Sequence, residues 1–200
     1  MPDVSASRPD VVPALEGALQ IYDGGTARHS ARVAQMASAT AAELGLGPDE
    51  VEMVGWAGEL HDLGKLAVPS VILHKPGPLV PEEWEEVARH PGAGADLLLA
   101  ISDGLAPLAA AVRSHHECWD GTGYPDGLAG EDIPLAGRIV AISDVYDSIT
   151  RPRPYRKLAY GHDAATVLIR AESGAHFDPM VAKVFLGLLR AGAFEVPQGA

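Results

Sequence analysis

The sequence holds a single cysteine, Cys118, which excludes an intrachain disulfide framework and a zinc centre built on thiolates. It is also short of positive charge: 15 lysines and arginines stand against 27 aspartates and glutamates, a formal net charge of −12. So acidic a chain does not attach nonspecifically to a nucleic-acid backbone or an anionic membrane. No apolar run approaches the length that crosses a bilayer, and the opening "MPDVSASRPDVVPALEGALQ" has neither the basic flank nor the apolar stretch of a signal peptide. A cytoplasmic, reducing location is therefore expected. Strand-like alternation is missing over any useful length, and no internal repeat occurs. What is present is apolar content of 47% in 200 residues, enough for one sizeable core.

The pattern is helical along nearly the whole chain. From Thr26, a candidate N-cap, small and apolar residues recur at helical spacing through Val33, Met36, Ala37 and Leu44, with stop signals at Gly45 and Gly47. Pro48, Asp49 and Glu50 suit the start of a helix whose stripe, Val51, Val54 and Leu60, runs into "ELHDLGK". A loop with Pro69, Pro76 and Pro78 follows, and "PEEWEEVARH" opens another helix. Further helices are expected over about 92–101, 106–118, 135–149, 163–172 and 178–190, the last capped by Asp178 with Pro179 in its first turn. The expectation is a single all-α domain, a helical bundle over 11–192, with loose tails at 1–10 and 193–200.

Polar residues interrupt these apolar helices. His29, His61, Asp62, His90, His115, His116 and Asp144 each fall in or at the end of an expected helix, among residues that otherwise read as core. Any one of these histidines alone is ordinarily a hydrogen-bonded core residue or a surface residue. Burying five imidazoles and two carboxylates together needs compensation, and bound cations supply it for all of them at once. Imidazole with carboxylate and no thiolate suits iron, manganese, zinc or nickel better than magnesium or calcium. Seven ligands exceed one tetrahedral ion but fit two ions if a carboxylate bridges them, in pairs typically about 3.5 to 4 Å apart. Asp62 is the natural bridge, since His61 beside it can bind one ion while the carboxylate spans both. Such a pair generates a hydroxide nucleophile at neutral pH and clamps phosphate oxygens, which points to hydrolysis of a phosphate ester.

Several separated segments carry a resemblance: "HDLGK" at 61–65, "HP" at 90–91, "HHE" at 115–117, "DGTGYPDGL" at 120–128, "RIVAISDVYDSIT" at 138–150, "RPYRK" at 153–157 and "FDP" at 177–179. In this order they resemble the signatures of the HD-GYP family, a branch of the HD-domain metal-dependent phosphohydrolases, over about residues 26–187. The resemblance implies a helical bundle of the HD-domain type with a glycine- and proline-rich GYP loop. It implies His29, His61, Asp62, His90, His115, His116 and Asp144 as metal ligands, with His29 on the first helix, the three later histidines on the second ion, and Asp144 completing the first. Asp62 and Lys65 become the catalytic residues, Lys65 contacting the scissile phosphate, and Asp147 a carboxylate that orients a ligand imidazole. A plain salt bridge is the competing role for Asp147. The implied substrate is cyclic di-GMP, cleaved to linear pGpG and in some members onward to GMP. Lys65, Tyr124, Arg153, Tyr155 and Arg156 would hold it, whereas Arg151 and Lys157 are expected to face solvent. Cys118 lacks partner and spacing for nucleophilic catalysis and is read as a bystander.

The chain departs from the family pattern twice. Gly25 stands where some members have a glutamate that supports a third metal, so two divalent ions, iron or manganese, are expected rather than three. Pro152 stands where an acid commonly precedes "RPYR", which alters that loop. No receiver or sensor domain is recognisable before residue 26, so regulation is expected through the N-terminal segment, a partner chain, or metal and redox state. The GYP loop is a candidate contact for signalling partners, and an apolar helix face is a candidate homodimer surface. Two other readings stand beside the cyclic di-GMP phosphodiesterase: a phosphohydrolase for another cyclic dinucleotide or nucleotide, and a metal- and ligand-binding signalling module. Because ligand histidines must be neutral to coordinate, metal affinity is expected to fall in mild acid. Glu117 is read either as a partner for a histidine or as a solvent-facing charge.

Overall fold

The computed structural model describes residues 11–22, 24–151 and 159–194. Both expected tails, apart from residues 193 and 194, lie outside the described residues, as do Asp23, Pro152, Arg153, Tyr155, Arg156 and Lys157. Ten α-helices are described: α1 Val11–Tyr22, α2 Gly24–Glu43, α3 Pro48–Leu60, α4 Ser70–Leu73, α5 Pro81–Ala88, α6 His90–Ile101, α7 Ala106–Ser114, α8 Leu135–Thr150, α9 His162–Ala171 and α10 Pro179–Arg190. The β-structure among the described residues is an isolated bridge between Ser173 and Phe177, so the fold is all-α as expected. No helix among the described residues is long and apolar enough to cross a membrane.

Several helix starts follow the local chemistry of the sequence. Pro48 occupies the first position of α3, and the Glu50 carboxylate accepts the Gly47 N–H at 2.9 Å. Pro81 and Glu83 repeat the device in α5, with Glu83 accepting the Val80 N–H at 2.9 Å. The Asp178 carboxylate caps α10 by accepting from Met180 N at 2.7 Å and ties it to α8 through Arg138 at 2.6 Å. Three expectations are corrected. Helix α2 starts at Gly24, so Thr26 is not its N-cap. Helix α7 ends at Ser114, four residues early, because the chain turns at His115 and the Glu117 N–H closes back on the Ser114 carbonyl at 3.0 Å. The core continues past 192: Phe194 is buried, its ring 5.2 Å from that of Phe185.

Helix α8 runs through the middle. Its Ile139, Val140, Ile142 and Tyr146 are buried, in the same core as Val33 and Met36 of α2, Leu60 of α3, Val112 of α7 and Phe185 of α10. A helix apolar on most of its circumference has to be central. Phe185 is fully buried and touches Tyr146 with ring centroids 5.5 Å apart. Phe185→Ala is therefore expected to cost about 3 to 5 kcal/mol, read as a lowered midpoint of urea unfolding.

Two antiparallel helical hairpins set up the site. Helices α2 and α3 pack closely: a Cβ on Gly58 would stand 2.6 Å from the Ala34 Cα. The start of α2 then lies beside the end of α3, and the His29 and His61 rings are 5.3 Å apart. Helices α6 and α7 repeat the arrangement, placing His90 at the start of one 5.3 Å from His115 at the end of the other. Gly64 joins the hairpins. A side chain there would collide with the His90 carbonyl and with Gly94, so the turn after "HD" rests directly on α6.

Candidate metal centre

Three imidazoles on three helix ends are oriented by one local device. His61, His90 and His115 each bring Nδ1 to the carbonyl three residues earlier, Gly58 at 2.8 Å, Val87 at 2.7 Å and Val112 at 2.6 Å. A carbonyl only accepts, so each Nδ1 carries the proton and each Nε2 presents a lone pair inward. The His90 and His115 Nε2 atoms lie 3.3 Å apart, and the buried His61 Nε2 has no hydrogen-bond partner. Lone pairs facing one another in a buried space fit a cation between them.

The polar residues form two ligand groups, His29 with His61 and Asp62, and His90 with His115 and His116. Asp62 lies between the groups. Its Oδ2 is 3.4 Å from His61 Nε2, and its Oδ1 is 3.4 Å from His90 Nε2. Asp144 of α8 closes the first group, with Oδ1 2.9 Å from His29 Nε2 and 4.0 Å from His61 Nε2. All seven residues expected as ligands are thus brought together, and the donor set suits borderline divalent metals.

The electrostatics divide along the same line. Burial pushes His90, His115 and His116 down, the last to about 4, which keeps all three neutral at pH 7. Burial also opposes charge on His29, but hydrogen bonds to Asp144 and Asp147 outweigh it and lift the imidazole to about 9. Asp62 and Asp144 remain ionised despite burial, Asp62 because of the Lys65 ammonium and Asp144 because of His29.

Asp147 sits one turn past Asp144 and accepts from His29 Nδ1 at 2.7 Å, the contact expected of a carboxylate that orients an imidazole. It is also gripped by Arg32, Nε to Oδ1 at 2.6 Å and Nη2 to Oδ2 at 2.7 Å, a fork the sequence reading missed. The signal was available, since Arg32 lies one turn from His29 on α2. Against burial, which disfavours the charge, Arg32 and His29 bring Asp147 down to about 2. Arg151 is not free in solvent as expected: its Nε lies 3.5 Å from Asp147 Oδ1. Lys65 places Nζ 2.6 Å from Asp62 Oδ2.

The loop after His116 folds back over the second group. The Tyr124 ring stacks on His116 with centroids 4.9 Å apart, and the Tyr124 N–H donates to the His116 carbonyl at 3.1 Å. Burial and the charges of Asp144 and Asp62 push the Tyr124 hydroxyl upward, so it stays protonated. Glu117 fits neither role expected for it. It is 2% exposed, and its two oxygens accept from the backbone N–H groups of Asp126 at 2.7 Å and Leu128 at 3.1 Å. The carboxylate clamps the irregular backbone of the loop; helical periodicity carries no signal for such a contact. Glu117→Ala is expected to destabilise by about 2 to 4 kcal/mol and to speed hydrogen exchange at the Asp126 and Leu128 amides. Cys118 is half-buried, and burial raises its thiol, so it is not a reactive thiolate.

Fold and site together define a helical domain that gathers histidines and aspartates into groups able to hold metal. The chain belongs to the HD domain family, whose profile matches residues 13–181, and its motifs place it in the HD-GYP branch. It is 40% identical over 180 residues to the cyclic di-GMP phosphodiesterase response regulator RpfG of Xanthomonas campestris, covering 90% of this chain and 47% of that protein. It is 46% identical over 169 residues to a cyclic di-GMP phosphodiesterase of Pseudomonas aeruginosa, covering 84% and 40%. A 3′3′-cGAMP-specific phosphodiesterase of Vibrio cholerae is 36% identical over 187 residues, covering 93% and 36%. The chain spans less than half the length of these relatives. Among solved structures, the HD domain of the Listeria monocytogenes phosphodiesterase PgpH in complex with cyclic di-AMP shares the fold, with a TM-score of 0.66, 18% identity, and 90% and 95% of the two chains covered. A Vibrio cholerae cyclic GMP-AMP phosphodiesterase structure does so with a TM-score of 0.69, 20% identity, and 92% and 49% covered.

Proposed function

We propose that this domain hydrolyses cyclic di-GMP to linear pGpG, with onward cleavage to GMP as a further step, at a centre of two divalent ions, iron or manganese. The observation that carries this reading is the convergence of the His61, His90 and His115 Nε2 atoms around Asp62. His29, His61 and Asp144 would hold one ion, and His90, His115 and His116 the other, with Asp62 shared between them. When bound, such a pair supplies Lewis acidity, drawing a nucleophile from water at neutral pH and opposing the charge of phosphate oxygens.

The chain's own residues supply the rest. Asp147, gripped by Arg32, holds the His29 ring with Nδ1 protonated. Lys65 places its ammonium beside Asp62 and is assigned to the scissile phosphate and its leaving oxygen from the motif. Tyr124, stacked on His116, walls the pocket. Arg153, Tyr155 and Arg156 are assigned to phosphate and base contacts from the motif alone. Relatives named for cyclic di-GMP stand at 36 to 46% identity and those named for 3′3′-cGAMP at 35 to 37%; the ranges overlap, and the former substrate is favoured by the two relatives at 40% and 46%. The reading places the protein in the cytoplasm and gives the exposed loop tip, Pro125 and Asp126, to contacts with signalling partners.

The test is turnover of cyclic di-GMP, 3′3′-cGAMP and cyclic di-AMP by protein reconstituted anaerobically with iron or manganese. The highest kcat/KM is expected for cyclic di-GMP, with pGpG as first product. A tenfold preference for another substrate would reassign it, and tight binding without cleavage in both metals would make the domain a binding module.

A further inference from the structure

We propose that Trp84 is a stacking platform for a nucleobase of the substrate, an inference that rests on the cyclic dinucleotide reading above. Helix α5 carries Trp84 yet has no buried residue, and the indole is 51% exposed. A lone exposed aromatic means little by itself. Trp84, however, stands at the outer end of a row of rings. Its centroid is 5.5 Å from that of Tyr124 at an interplanar angle of 69°, and Tyr124 stacks on His116 at 4.9 Å and 26°. His116 in turn lies 4.0 Å from His115 and 5.1 Å from His90, inside the second ligand group. The row leads from the place where a phosphate would sit to the surface, and one ribose separates a phosphate from its base.

The charge on α5 decides which end of the substrate it meets. Glu82, Glu83, Glu85 and Glu86 surround Trp84 in sequence; Glu83 is paired with Lys75 and Glu86 with Arg89 at 2.7 Å, and the negative charge that α5 keeps disfavours phosphate but not an uncharged purine. Caps at Val80 and an ion pair from Lys75 to Glu83 at 2.6 Å hold the helix start where it is. The indole is thus presented, half in water, on a braced helix, with Tyr124 edge-on beside it. Covering that face with a purine removes apolar surface from water and adds base–aromatic stacking.

The experiment uses the full chain reconstituted with manganese, comparing Trp84→Ala, Trp84→Phe and the parent. Loss of one stacked base is expected to raise KM for cyclic di-GMP about tenfold in Trp84→Ala with kcat within about twofold, while Trp84→Phe keeps most of the affinity. Binding of a hydrolysis-resistant phosphorothioate analogue of cyclic di-GMP should quench tryptophan fluorescence in the parent. Trp56 and Trp119 remain in Trp84→Phe, so most of the quench should vanish there. Unchanged KM and quench in both variants, with turnover intact, would overturn the platform and leave Trp84 as a protein-docking aromatic. Absence of any binding or turnover in the parent would instead overturn the substrate reading itself, and the platform with it.

Discussion

Asp62→Asn is expected to lower cyclic di-GMP hydrolysis by at least about a thousandfold and to remove at least one equivalent of bound metal. The carboxylate oxygens stand 3.4 Å from an imidazole Nε2 of each ligand group, so one side chain faces both. An amide of the same shape has no charge to share, and its NH2 would donate to a lone pair meant for metal. The apolar core does not depend on this residue, so helical circular dichroism of the apoprotein should be unchanged. Activity within tenfold of the parent at full metal content would remove Asp62 from the centre. Unfolding of the variant would show instead that the buried Lys65–Asp62 pair is structural.

The second large effect is on pH. In the apoprotein His29 stays protonated to about pH 9, its Nε2 proton shared with Asp144 at 2.9 Å, and metal has to displace that proton. Metal affinity is therefore expected to rise about tenfold per pH unit from about 6.5 to 9, with about one proton released per first equivalent. Calorimetric titration in buffers of different ionisation heat counts that proton. The sequence led to a loss in mild acid; the structure adds a dependence that extends well above neutrality. His116 shows the opposite sign. Its folded value of about 4 lies below that of an ordinary imidazole, so its contribution to apoprotein stability is present above about pH 6.5 and is lost as pH falls through 4. That contribution is worth about 3 kcal/mol, seen as a falling midpoint of thermal unfolding of the apoprotein between those limits. His29, raised, contributes below pH 6.5 and loses its contribution as pH rises through about 9.

Much of this is legible in the sequence. Pro48, Pro81 and Asp178 mark helix starts because proline and capping carboxylates act within one turn, and the structure puts α3, α5 and α10 at those places. The seven polar interruptions were visible because charge is costly among apolar residues, whatever the topology. Helix α1 was not seen, since Pro13 and Gly17 blur its pattern and only Val12 and Leu19 are buried. Two contacts carry no helical signal. The Glu117 clamp closes within an irregular loop and the row from His116 to Trp84 joins elements far apart in sequence, whereas Arg32, one turn from His29, is a visible candidate for the Asp147 fork. The antiparallel hairpins explain why the ligands meet: each pairs the start of one helix with the end of the next.

The most direct test of the account is a titration of cyclic di-GMP hydrolysis against metal equivalents added anaerobically to the apoprotein. Two ligand groups sharing Asp62 predict that activity stays low through the first equivalent, rises with the second and then levels off. Full activity at one equivalent, or a continued rise to a third, would contradict a two-metal centre.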